Sequence, residues 1–252
     1  FLDGRAGSLE DQALGPLLNP IEHGLRSQQE IVEIVAQAPG YQQQFTRIFN
    51  SGKITAVQIA QAIASFERTL IAGNSAFDRY LFGRDRQALT QSEARGMRLF
   101  RRKGNCANCH EISGKDALFM DNRFYNLGVG FAKVNPQIPE FVQALRVGEG
   151  ASDFSFSAAQ RAELGRFNVT QIIADIGKFK TPTLRNIALT APYMHDGSIN
   201  SLEEVVEYYD KGGEKTLFLD PAIFPLHLTA HEKQDLVAFL KALTSAAPIL
   251  VR

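Results

Sequence analysis

The chain has 252 residues, 44% of them hydrophobic, so it can bury a substantial core in one large or two modest domains. Its 27 basic and 27 acidic side chains cancel, which argues against nucleic acid or an anionic membrane as the main partner. No run of about eighteen apolar residues occurs, so the sequence predicts no membrane-spanning helix. The chain begins at Phe1 without a methionine or a signal peptide, and we expect it to be a mature or truncated piece.

Helical periodicity dominates the first part of the chain. Thr55 and Gln58 have the spacing of a capping box, and an apolar stripe at helical spacing follows them: Ile59, Ile63, Phe66 and Leu70. The polar stretch Gly83-Arg84-Asp85-Arg86 separates this region from the next helical block. We therefore predict a domain boundary there, with one helical unit over residues 1–86 and a second domain over residues 87–252.

Two further capping boxes predict the helices that frame the second domain. The first pairs Thr90 with Glu93, and the second pairs Thr229 with Glu232. Both helices have an apolar inner face, formed by Gly96, Leu99 and Phe100 in the first and by Leu236, Phe239, Leu240 and Leu243 in the second.

Strand patterns are scarce in this sequence. The segments 120–136 and 177–200 are rich in Gly, Pro and Asn, and they are predicted to be long loops. The predicted fold class is therefore all-α.

The segment Cys106-Ala107-Asn108-Cys109-His110 uses both cysteines of the chain in the spacing that attaches haem c. Two thiols three residues apart on one helical turn can each add to a haem vinyl group, and the histidine that follows can bind the iron. A thioredoxin-like redox pair is disfavoured because no strand-then-helix pattern flanks the motif, and a zinc site would need further cysteines. The motif predicts a c-type cytochrome or a haem enzyme. Because haem c is normally attached after export, we expect a periplasmic protein.

The chain resembles the bacterial dihaem cytochrome c peroxidase family, and within it the MauG-like branch. The resemblance runs over almost the whole chain, and its most specific motifs are Phe179-Lys180-Thr181-Pro182-Thr183-Leu184-Arg185-Asn186 and Ala191-Pro192-Tyr193-Met194-His195-Asp196-Gly197-Ser198. It implies a cytochrome c-like haem domain with long loops over 87–252. Residues 1–86 would be the remainder of a second cytochrome c-like helical domain, the one that holds the peroxidatic haem.

Members of this family carry two haem motifs, whereas this sequence contains one. The block Asp3-Gly4-Arg5-Ala6 normally follows the first motif by a few dozen residues. We therefore expect that the first motif has been removed by truncation or processing of a longer parent protein. Loss of the first haem during evolution is the alternative.

The resemblance also implies residues around the peroxidatic haem. Glu22 matches the acidic group above that haem, where a carboxylate can move a proton between the two peroxide oxygens. Gln12 and Pro16 match other positions that line the same pocket. Leu2 stands where the family commonly has a tryptophan between the haems, and this chain contains no tryptophan at all. MauG-like chemistry that depends on that aromatic bridge is therefore disfavoured.

The ligand on the distal side of the haem at His110 distinguishes the two branches of the family. Tyr209 lies fourteen residues after His195, where the peroxidases have a methionine. MauG-like members have tyrosine at this position, and a phenolate ligand stabilises ferric iron and lowers the reduction potential of the haem. Met194 and Met120 are alternative ligands, and so are Tyr208 and an open site.

Four further positions follow from the resemblance. Arg185 matches an arginine that pairs with a haem propionate, which suits the fork geometry of a guanidinium group. Thr190 and Pro192 match positions whose backbone carbonyls bind calcium, and hard oxygen ligands fit that ion. For His195, a role beside the haem site and a structural hydrogen bond both remain open.

Taken together, the resemblance implies an oxidoreductase that uses hydrogen peroxide and passes electrons through the haem on His110 to the peroxidatic haem. Its redox partner would be a small cytochrome c or a cupredoxin, or a protein substrate in the MauG-like version. The sequence leaves open whether the protein is a homodimer. The alternative is a monohaem periplasmic electron-transfer cytochrome without peroxide chemistry.

Overall fold

The computed structural model describes residues 1–151, 154–245 and 249–250. Its contacts divide the chain into two compact units, each described by itself below. Unit 1 consists of Phe1, Ala6–Ile71 and the segment that starts at Ile249. Unit 2 consists of Leu2–Arg5 and the chain from Ala72 up to that last segment. The described residues are mainly helical, as the sequence predicts.

Four helices make up unit 1: α1 (Leu9–Leu18), α2 (Gln28–Gln37), α3 (Tyr41–Phe49) and α4 (Ala56–Glu67). Seven belong to unit 2: α5 (Ala76–Leu81), α6 (Gln91–Arg101), α7 (Ile138–Arg146), α8 (Ala158–Glu163), α9 (Phe167–Thr170), α10 (Leu202–Asp210) and α11 (Ala230–Lys241). In the described part of the chain the strands are two residues long: β1 (Leu70–Ile71), β2 (Phe124–Tyr125), β3 (Phe179–Lys180) and β4 (Ile249–Leu250). The antiparallel pairs are β1 with β4 and β2 with β3.

The domain boundary expected after residue 86, from the polar stretch over 83–86, stays a prediction. The contact-based division falls earlier, between Ile71 and Ala72. Helix α5 lies in unit 2 because Phe77 is fully buried in the aromatic core of that unit.

The capping box predicted at Thr55 and Gln58 is confirmed, since both reciprocal hydrogen bonds are present at the start of α4. The apolar stripe predicted behind it is only partly correct. Ile59 is buried and Ile63 packs beside it, but Phe66 is 60% exposed. Leu70 lies beyond the helix, in β1, because α4 ends at Glu67. The buried face of α4 also contains three alanines, Ala56, Ala60 and Ala64.

The capping boxes at Thr90 with Glu93 and at Thr229 with Glu232 are also confirmed, at the starts of α6 and α11. These two helices pack against each other around an aromatic cluster. Its rings meet edge to face at centroid separations of 5.1–6.1 Å: Phe77, Phe82, Phe100, Phe119 and Phe239. Each such contact stabilises the fold by about 0.5–1.5 kcal/mol beyond the contribution of the apolar area that it buries. The core therefore fixes the helix that leads into the haem motif.

The predicted loops contain short ordered pieces. The loop over 120–136 includes β2 and the one over 177–200 includes β3, so a two-residue ladder joins them. A second buried cluster lies around α7, α8 and α9 and includes Phe131, Phe141 and Phe167. Among the described residues, no helix is both long and apolar enough to cross a membrane.

Candidate haem site

The two cysteines and the histidine share a single turn of the chain. After α6 ends, Asn105 adopts a left-handed φ of 56°, and its side-chain amide donates to the Ala222 carbonyl at 3.0 Å. A short 3₁₀ helix, Cys106–Asn108, follows. The backbone N–H groups of Cys109 and His110 both donate to the Cys106 carbonyl, at 3.3 and 2.9 Å. This turn presents both thiols and the imidazole in the arrangement that the sequence motif predicts.

Both thiols are free and half-buried. Burial raises the pKa of Cys106 to about 12, and burial also raises the pKa of Cys109. Neither is therefore a thiolate at neutral pH, which argues against a reactive redox pair. Among the described residues, no group of three or more His, Cys, Asp or Glu side chains that could hold a metal ion occurs. Two neutral thiols beside the imidazole fit the attachment of haem.

His110 is oriented by a backbone carbonyl. Its Nδ1 lies 2.8 Å from the Phe119 carbonyl oxygen, and because that oxygen only accepts, Nδ1 carries the proton in this contact. Burial lowers the pKa of His110, which keeps the imidazole neutral. A neutral ring with Nδ1 protonated leaves the Nε2 lone pair available to iron. The Phe119 carbonyl is a partner that the motif alone does not reveal.

The predicted distal ligand lies close to the same turn. Burial raises the pKa of the Tyr209 phenol, and nearby Cys106 and Cys109 raise it further, so the phenol is within electrostatic reach of both sulfur atoms. Tyr209 extends from α10, which starts at a capping box formed by Ser201 and Glu204. The alternatives Met194 and Met120 are half-buried loop residues, and Met194 has a left-handed φ of 71°. The identity of the distal ligand stays a prediction.

The guanidinium group predicted to meet a haem propionate has a different partner in the structure. Arg185 Nη1 donates to both carboxylate oxygens of Asp78, at 2.7 and 2.6 Å, and its Nε donates to the Ala117 carbonyl at 2.8 Å. The group also lies 5.3 Å from the ring centroid of Phe119. Arg185 thus ties the loop that holds His110 to α5. A propionate contact for Arg185 remains a prediction.

Tyr125 and Asp121 are site residues that sequence reasoning missed. The Tyr125 hydroxyl donates to Asp121 Oδ2 at 2.5 Å. Burial, Asp121 and the Cys109 thiol raise the pKa of Tyr125, so the phenol also lies near that thiol. Both residues fall in the segment predicted as a loop. The available signal was a tyrosine fifteen residues after His110, the last residue of the haem motif.

The residues assigned to the peroxidatic haem lie in unit 1. Gln12 and Pro16 are within α1, and Glu22 follows in the exposed turn after it. The Asn19 amide donates to Glu22 Oε1 at 2.6 Å. The His23 N–H donates to the Pro16 carbonyl at 3.3 Å, so Glu22 is held near the end of α1. Their part in a haem pocket remains a prediction.

The calcium and His195 predictions concern neighbouring loop residues. Thr190 and Pro192 are exposed, and their role in calcium binding stays a prediction. His195 stacks on Phe179 with ring centroids 3.7 Å apart, and its Nε2 lies 2.8 Å from Glu163 Oε2. Of the two readings of His195, the structure favours the structural hydrogen bond.

A pair of neutral thiols and a carbonyl-oriented imidazole on one turn define the class of protein, a c-type haem protein. Comparison with known families agrees with this assignment. The cytochrome c family model matches residues 93–244, and the model for di-haem cytochrome c peroxidase matches residues 1–86.

Individual relatives cover nearly the whole chain. Cytochrome-c peroxidase IdrP1 of Pseudomonas sp. (strain SCT) is 36% identical over 99% of this chain and 65% of its own length. The methylamine utilization protein MauG of Methylorubrum extorquens is 35% identical over 96% of this chain and 59% of its own length. A crystal structure of a MauG-like protein associated with microbial copper homeostasis superposes with a TM-score of 0.73 and 33% identity, covering 95% of this chain and 69% of the other.

The chain belongs to the bacterial di-haem cytochrome c peroxidase and MauG family. It spans 59–65% of the length of the two curated relatives named above. The family implies haem c as the cofactor, and the Cys106, Cys109 and His110 turn is where this chain can hold it.

Proposed function

We propose that this chain is part of a peroxidase-type haem c oxidoreductase that uses hydrogen peroxide as its oxidant. Electrons pass through the haem on Cys106, Cys109 and His110 to a peroxidatic haem, whose attachment motif these 252 residues do not contain. One observation carries the proposal: a peroxidase-family match over residues 1–86 and an intact haem turn within a cytochrome c match occur in the same chain.

The haem groups supply iron that accepts and releases single electrons, and the side chains of this chain position and protonate the reactants. Cys106 and Cys109 would attach the haem of unit 2, and His110, oriented by the Phe119 carbonyl, would supply a nitrogen ligand to its iron. Tyr209 would be the second protein ligand, and its phenolate would favour the ferric state. Glu22 is the general acid–base that moves a proton between the peroxide oxygens.

The surroundings of the protein follow from the same proposal. The location is the periplasm, because haem c is attached after export. The electron source is a small cytochrome c or cupredoxin, or a protein substrate if the reaction follows the MauG type. Tyr209 favours the MauG type, whereas the absence of tryptophan disfavours it. Calcium held by the Thr190 and Pro192 carbonyls and a homodimer are further parts of the proposal.

The experiment that tests the proposal uses the haem-loaded protein expressed from its complete gene. Hydrogen peroxide is added with reduced cytochrome c as electron donor, and the haem spectrum and the oxidation of the donor are recorded. We expect peroxide reduction in the wild type and a rate lower by about 10²-fold or more in Glu22→Gln, since a positioned general acid–base contributes about 10²–10⁴. Glu33→Gln, an exposed glutamate on α2, is the matched control and should keep the full rate.

The competing function is electron transfer by a monohaem cytochrome. The single haem motif in the sequence favours it. A fully haem-loaded protein with one haem, which exchanges electrons with a cytochrome but leaves peroxide unreacted, would establish this function and reject the peroxidase proposal.

A further inference from the structure

Tyr125 lies between a carboxylate and a haem-attachment sulfur. Its hydroxyl donates to Asp121 Oδ2 at 2.5 Å, a short hydrogen bond of the charge-assisted kind. Asp121 is held in turn, because its Oδ1 accepts the backbone N–H of Arg123 at 2.9 Å. The carboxylate is thus fixed in place at the phenol.

The phenol of Tyr125 also lies near Cys109. Besides burial and Asp121, the Cys109 thiol raises the pKa of Tyr125, which requires the two side chains to be close. In the haem-loaded protein this sulfur is a thioether bonded to the macrocycle. The phenol would therefore be close to the attached haem, and the pairing of Tyr125 with Phe179 holds its strand in place.

This arrangement matches what a redox-active tyrosine needs. A phenol is hard to oxidise while it keeps its proton, so it needs a base that takes the proton as the electron leaves. Two other tyrosines have weaker proton acceptors as partners. The hydroxyl of Tyr193 donates to the backbone carbonyl of Ile187, and the hydroxyl of Tyr208 donates to that of Leu127. The hydrogen bond of Tyr125 goes to a carboxylate instead. Tyr125 is half-buried, so its ring is also reachable from the surface.

We propose that Tyr125 is a redox relay between the haem attached at Cys109 and an external electron donor, with Asp121 as its proton acceptor. The proposal rests on the proposed use of hydrogen peroxide by this chain. It also supplies an aromatic side chain for electron transfer in a chain whose 252 residues include no tryptophan.

The relay step is balanced in electrons and protons. One electron leaves the phenol of Tyr125 for the oxidised haem, and the phenolic proton moves to the Asp121 carboxylate, which leaves a neutral tyrosyl radical. The donor then returns one electron to the radical, and Asp121 returns the proton. Two such cycles deliver the two electrons that, with two protons from solvent, reduce one hydrogen peroxide molecule to two water molecules.

The experiment follows the radical directly instead of turnover. The haem-loaded protein from the complete gene is mixed with hydrogen peroxide without donor and frozen within milliseconds to seconds. Electron paramagnetic resonance then detects the tyrosyl radical, while absorbance records the oxidation of the haem. The variants are Tyr125→Phe and Asp121→Asn, and Tyr41→Phe is the control because Tyr41 lies in unit 1 and is 47% exposed.

We expect a tyrosyl signal in the wild type and in Tyr41→Phe, and its loss in Tyr125→Phe. In Asp121→Asn the signal should be reduced, because the amide is a poor proton acceptor. If the haem is oxidised by peroxide but the signal persists in Tyr125→Phe or is absent from the wild type, the relay is rejected while the peroxidase function stands. If peroxide leaves the haem spectrum unchanged at full haem loading, the proposed function fails and the relay fails with it.

Discussion

Gly96 and Asp235 meet where α6 crosses α11, at a distance that leaves no room for a side chain on α6. A Cβ atom added to Gly96 would lie 1.9 Å from the Asp235 carbonyl oxygen and 2.7 Å from the Cβ of Phe239. The two backbones are therefore in direct contact, and this close approach brings the end of α6 and the haem turn onto the core of unit 2.

Replacing Gly96 by alanine should destabilise the protein through this contact. Alanine is the better helix former by about 1 kcal/mol, but the added methyl group forces the helices apart. Overpacking of this kind costs about 1–3 kcal/mol, and a clash with backbone lies at the upper end. Urea unfolding of the haem-loaded protein measures the loss in free energy of unfolding. Gly114→Ala is the control, since nothing lies within 4 Å of its added Cβ. Equal stability of the two variants would contradict the close crossing.

Asp235 should make the stability of unit 2 depend on pH. The carboxylate is 2% exposed, accepts two hydrogen bonds from Arg95 at 2.7 and 2.8 Å, and accepts one from Ser92. The Arg95 hydrogen bonds hold the pKa of Asp235 below its usual range, against burial, which raises it. Because the folded pKa is the lower one, the stabilisation is complete above the unfolded value of about 3.9 and is lost as pH falls through the folded pKa.

The variant Asp235→Asn should therefore lose about 1–3 kcal/mol near pH 7, since it leaves Arg95 without its carboxylate. The difference from wild type should shrink as the pH falls below about 4. Urea unfolding at a series of pH values gives this difference. Glu203→Gln removes the exposed pair of Glu203 with Lys241 and should cost about 0–1 kcal/mol. A difference for Asp235→Asn that is independent of pH would contradict the lowered pKa, because Asp235 would then bind protons equally in the folded and unfolded states.

Tyr209 should determine the electronic properties of the haem if it is the distal ligand. Removing the phenol oxygen in Tyr209→Phe is expected to change the ferric absorption spectrum and to raise the reduction potential, because an anionic oxygen ligand favours ferric iron. The neighbouring Tyr208→Phe is the control, since that hydroxyl donates to the Leu127 carbonyl. An unchanged spectrum in Tyr209→Phe would reject Tyr209 as the ligand. Met194 would then be the candidate, and Met194→Leu should change the spectrum.

The Asp78 carboxylate should stabilise the loop that carries Arg185. Burial raises its pKa, but hydrogen bonds from Arg185 and Ser75 together hold the pKa of Asp78 below its usual range. Both side chains are mostly buried, so Asp78→Asn is expected to cost about 2–3 kcal/mol in unfolding free energy. Asp85→Asn, an exposed position in the next turn, should stay within about 0.5 kcal/mol of wild type. A small effect of Asp78→Asn would mean that Arg185 finds another anion, such as the predicted propionate.

The sequence predicted correctly those features that depend on residues close together in the chain. The capping boxes that start α4, α6 and α11 act within four residues, so Thr55, Thr90 and Thr229 were correctly read as helix starts. The haem motif is equally local, because two thiols three residues apart need only one turn. The stripe on α4 was partly wrong because periodicity shows which residues share a face, while neighbouring elements decide which face is buried.

The sequence by itself determined the helical class and the family to which the chain belongs, and it predicts haem attachment at Cys106, Cys109 and His110. Tertiary structure alone decided which groups surround that turn. The Phe119 carbonyl on His110, the Asp78 partner of Arg185 and the carboxylate on Tyr125 come from loops with little regular structure. Such contacts depend on how the aromatic core folds the loops, and no spacing rule encodes them, because their partners are fixed by packing and not by a repeating backbone geometry.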